Sequence, residues 1–133
     1  MNKKNYYSLI IFSTLSLMAC SKIEKPSMSL GQFSKERFIL ESAVNKILNE
    51  PDLKKMHEMA FALESARAIN CKPIKNECDL FQQILNKTVT LSSNRELTLK
   101  EKEELFKMRN EMVKELDLAQ KKLEDDWKKA TIN

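Results

Sequence analysis

The stretch that decides the fold is residues 98–130, TLKEKEELFKMRNEMVKELDLAQKKLEDDWKKA. Leu105, Met108, Met112, Leu116, Ala119, Leu123, Trp127 and Ala130 follow one another at steps of 3, 4, 4, 3, 4, 4 and 3. Steps of three and four place side chains on one helical face. The repeat here is eleven residues in three turns, which suits a nearly straight helix better than a strict heptad coil. The segment contains neither Pro nor Gly. Thr98-Leu99-Lys100-Glu101 reads as a capping box, in which hydroxyl and carboxylate each satisfy a free backbone N–H. Glu103/Lys107, Asp117/Lys121 and Glu124/Lys128 stand four apart with the acid first, the favourable order on a helix. A helix of about thirty residues spans roughly 45 Å.

Upstream, Ser92-Ser93-Asn94 breaks the chain, and three shorter helices are expected before it. Ser34 reads as the N-cap of the first, with Leu40, Val44, Ile47 and Leu48 on its apolar face. Asn49-Glu50-Pro51 ends it, because a residue before Pro avoids the helical region. The second starts near Pro51, carries the stripe Leu53, Met56, Ala60 and Leu63, and closes at Asn70. The third takes Asn76 as its N-cap and Asp79 as an acid near the positive end of the helix dipole. Leu80, Phe81, Ile84 and Leu85 form its face. The expected fold is all-α: a small bundle of about four helices with a long C-terminal helix. If that helix overhangs a short bundle, Leu123, Trp127 and Ile132 become an apolar patch suited to a partner. Otherwise Trp127 caps the core.

Composition removes several classes of function. The 133 residues include one Gly, one His and three Cys. One glycine cannot build a phosphate-cradling loop, and one histidine cannot build a multi-histidine metal site. His57-Glu58 opens like a zincin motif, but Phe61 occupies the place of the second histidine. A lone surface histidine is the expectation there. The adjacent acids Glu103-Glu104 and Asp125-Asp126 do not face one another on a helix, so neither makes an acid/base dyad. Asn86-Lys87-Thr88 is a glycosylation sequon by chance. Met56, Met59, Met108 and Met112 read as core filler. No catalytic or metal-binding residue is assigned, and a non-enzymatic role is expected.

The N-terminus gives an address. Lys3 and Lys4 precede an apolar run of about ten residues, too short to span a bilayer. A small residue then precedes a cysteine, the order of a cleaved export signal. Leu17-Met18-Ala19-Cys20 resembles the lipobox of bacterial lipoproteins. The resemblance covers the first twenty residues and implies a signal peptide over 1–19 and diacylglycerol on the Cys20 thiol. It further implies cleavage before Cys20 and acylation of the new amino terminus. The protein would then be anchored rather than spanning. Ser21, in place of Asp, resembles the outer-membrane sorting signal and implies an anchor facing the periplasm. Residues 20–33, with Pro26 and Gly31, read as the lipidated end and a tether, and 34–133 as one domain.

Loss of the signal removes two lysines and no acid, taking the net charge from +4 to +2. Lysines and acids interleave, so the surface is mixed and no nucleic-acid partner is expected. Cys71 and Cys78 remain as an even pair, and an oxidising periplasm permits a disulfide between them. An eight-residue ring would contribute roughly 2.5 kcal/mol. The expected function is a membrane-anchored, non-catalytic docking or assembly module for an envelope protein. Small helical pilotin lipoproteins of secretion systems are similar in outline, and exclusion lipoproteins are similar in size and location. The alternative is a carrier of a small apolar ligand or lipid in a helical cavity. No cofactor is expected beyond the covalent lipid.

Overall fold

The computed structural model describes residues 24–66 and 75–132. Among them are four helices and no strand: α1 Leu30–Leu48, α2 Leu53–Ala66, α3 Lys75–Ser92 and α4 Leu99–Ile132. The all-α bundle with a long last helix is therefore the fold. At 34 residues α4 is about 51 Å long, against about 28 Å for the 19 residues of α1.

Six polar contacts set the topology. Trp127 lies beside Met28, Arg37 beside Asp117 and Gln120, and Asn45 beside Arg109, so α1 and α4 run antiparallel. His57 on α2 meets Ser92 on α3, and Lys87 on α3 meets Glu104 on α4. The bundle is thus up-down-up-down. Helix α3 touches all three others, and α2 and α4 lie on opposite sides of the α1–α3 pair. The core comes from the stripes expected in the sequence: Leu40, Val44 and Ile47 from α1, Met56 and Ala60 from α2, Phe81, Ile84 and Leu85 from α3, and Leu105, Met112 and Leu116 from α4. All four methionines expected as filler either lie in this core or pack against it.

The helix starts differ from the sequence expectations. Ser29, not Ser34, caps α1: its hydroxyl accepts from the Gln32 N–H at 3.0 Å. Gly31 falls in the first turn, where a backbone N–H has no intrahelical partner to lose, so it does not break the helix. The ordered domain therefore begins before residue 34, and Met28 is already core, 4% exposed. Asp52 rather than Pro51 opens α2, accepting from the Lys55 N–H at 3.2 Å. Helix α3 begins at Lys75, which leaves Asn76 inside the first turn and Glu77 as its acid.

The ion pairs of α4 differ as well. Asp117 turns across to Arg37 rather than along the helix to Lys121. Glu124 accepts from Gln120 rather than pairing with Lys128, and Lys122 pairs with Asp126. A cross-helix guanidinium that is itself largely buried holds a carboxylate in place better than a mobile exposed lysine does. No helix among the described residues is long and apolar enough to cross a membrane.

Candidate functional site

An up-down-up-down bundle brings its first and third turns to the same end. Here these are the segments 49–52 and 93–98, and between them opens a cleft of about 290 Å³. Leu48, Leu53, Met56, Leu97 and Phe106 line it with apolar surface, while Glu50, Glu96 and Lys102 add polar groups. The cleft lies at the opposite end of α1 from the first described residues.

Both turns are held rigidly. On one side Asn49 closes α1: its N–H and its amide Nδ2 both donate to the Asn45 carbonyl, at 3.0 and 2.8 Å. Glu50 then accepts from the Asp52 N–H at 3.2 Å, and Asp52 starts the next helix. On the other side the capping box forms as the sequence implies. Glu101 N–H donates to Thr98 Oγ1 at 3.1 Å, and Thr98 N–H donates to Glu101 Oε1 at 2.8 Å. Arg95 adds a bidentate pair to the same carboxylate, at 2.7 and 2.9 Å. The Arg95 hydrogen bond, with the Thr98 backbone N–H next, pushes the Glu101 carboxyl down to about 2. Below the cleft, Arg109 lies 5.2 Å over the Phe106 ring and donates to Asn45 Oδ1 at 2.9 Å. This fixes Phe106 between α1 and α4 and gives the cleft a firm wall.

The cleft offers apolar contact from Leu48, Leu53, Met56, Leu97 and Phe106, with charged groups on Glu50, Glu96 and Lys102. The volume lies at the small end of the range for ligand sites, about 300–1,000 Å³. It suits one or two apolar side chains of a partner more readily than a drug-sized molecule. No group of three or more His, Cys, Asp or Glu residues is placed to hold a metal ion among the described residues.

His57 is not the lone surface histidine expected. It is half-buried, its Nδ1 lies 2.9 Å from Ser92 Oγ, and its ring stacks on Phe61 with centroids 6.3 Å apart. The Ser92 hydroxyl donates to the Thr88 carbonyl, so the imidazole N–H must be the donor toward Ser92. A serine activated by histidine needs the opposite polarity, with its own proton aimed at the imidazole. This pair staples α2 to α3.

The residues singled out in the sequence fall in three places. Cys20 and Cys71 lie outside the described residues, and Cys78 is fully buried in α3. Leu123 and Trp127 are half-buried on α4, and Trp127 Nε1 donates to the Met28 carbonyl at 2.9 Å. Ile132 ends α4, and its side chain is outside the description. Trp127 thus ties the N-terminal segment to the long helix, at the end away from the cleft. The cleft residues Leu53, Leu97, Lys102 and Phe106 were not picked out as a site in the sequence. Their signal was topological: four antiparallel helices must bring turns one and three together.

The described residues form a small antiparallel four-helix bundle with a shallow cleft between the turns 49–52 and 93–98. Comparison with protein-family models, curated proteins and solved structures gave no match.

Proposed function

We propose that this chain is a lipid-anchored, periplasm-facing lipoprotein that acts as a non-catalytic docking module for an envelope protein. The observation that carries the reading is the cleft between turns 49–52 and 93–98. It presents apolar side chains in a frame fixed by two sets of caps, at the end remote from the N-terminus. A rigid concave apolar floor with a polar rim is the usual anatomy of a site that takes an anchor side chain from a partner. Support for the anchor comes from the sequence Leu17-Met18-Ala19-Cys20, and Ser21 favours the outer membrane. The interleaved charge argues for a protein rather than a nucleic-acid partner. The polarity of the His57–Ser92 bond supports a role without catalysis.

The disulfide belongs to the same reading. Cys78 is buried in the first turns of α3 and carries its sulfur as a half-cystine. Cys71, in the connection before α3, is the partner we assign to it. That bond would clamp the α2–α3 hairpin at the end away from the cleft.

The test is site-specific photocrosslinking in native membranes. A photoreactive residue at Glu96 or Lys102 should trap one recurrent envelope protein, and the same residue at Lys121 on α4 should not. Leu53→Asp should abolish the adduct without changing the helical circular dichroism. Equal trapping at all three positions would count against the cleft as the docking site.

A further inference from the structure

We draw no further inference here: the strongest candidate, the groove between α3 and α4 lined by Asp79, Leu80, Gln83, Glu111, Lys114 and Glu115, is a surface patch of three acids around one lysine, and nothing in the structure shows what covers it.

Discussion

Arg37→Met is expected to destabilise the protein by about 2 kcal/mol, more than a surface arginine normally would. The guanidinium makes three separate contacts. Its Nε donates to Glu41 at 3.0 Å, one terminal nitrogen to Gln120 Oε1 at 3.0 Å, and the other to Asp117 at 2.6 Å. The Arg37 side chain is only 19% exposed, whereas Asp117 is 63% exposed. Burial alone would favour the neutral guanidine. Hydrogen bonding to Asp117 and the charges of Glu41 and Asp117 more than offset it and hold the pKa above its ordinary value. The pair with Glu41 lies four apart on one helix and is worth about 0.3–0.5 kcal/mol. A half-exposed pair with Asp117 adds about 0.5–1 kcal/mol, and a charge-assisted bond to Gln120 about 1 kcal/mol.

Position makes the clamp matter. Residues 79–83 of α3 face residues 111–115 of α4, and Arg37 joins α1 to α4 further along that helix, at Asp117 and Gln120. Methionine keeps the aliphatic stem and removes the charge, which isolates the polar contribution. Urea titration followed by circular dichroism gives the difference, and for a domain of this size it corresponds to a fall of roughly 8–16 °C in Tm. A double-mutant cycle with Gln120→Met should show coupling of at least about 0.5 kcal/mol. A loss below about 0.5 kcal/mol together with strict additivity would refute the idea of a cross-helix clamp.

Three further outcomes are expected. Leu116→Ala should cost about 3 kcal/mol in urea titration because Leu116 is wholly buried, while Leu118→Ala two residues on, 55% exposed, should stay within about 0.5 kcal/mol. Gly31→Ala should raise stability by about 0.5 kcal/mol in the same assay, since nothing lies within 4 Å of a methyl group there and alanine narrows the unfolded ensemble. Glu101 links the cap to acid. Its folded pKa of about 2 lies below the unfolded value near 4.5, so its contribution is complete above pH 4.5 and is lost as pH falls toward 2. The Tm gap between parent and Glu101→Gln should therefore close over that interval, and a gap independent of pH would disprove the linkage.

Periodicity made the helices legible, and local chemistry misplaced their starts. The apolar steps from Leu105 to Ala130 depend only on helix geometry, so they survive whatever packs against them. A cap is a competition. Ser29 and Ser34 both carry the right hydroxyl, and the sequence alone weighted Gly31 as a breaker between them. Burial of Met28 under Trp127 tips the balance, because a helix that starts at Leu30 brings Met28 into the core. That contact joins residues 99 apart, beyond any local rule. Thr98 was read correctly for the complementary reason. Its partner Glu101 is three residues away, and both bonds of the box close within a single turn.

The cleft was hidden for a related reason. None of its residues has an unusual type: Leu53 sits on an ordinary stripe, Phe106 lies next to one, and Glu96 and Lys102 look like solvated surface. What brings them together around a cleft is that two caps stop short of each other and leave a gap between the turns. Asn49 turns the chain out of α1 with two bonds to one carbonyl, and Arg95 pins the opposite turn to Glu101. Neither turn can relax inward to fill the space without breaking its own cap. A loose bundle of the same composition would collapse there, since apolar side chains facing a gap gain by closing it. The persistence of the cleft is thus a consequence of capping chemistry.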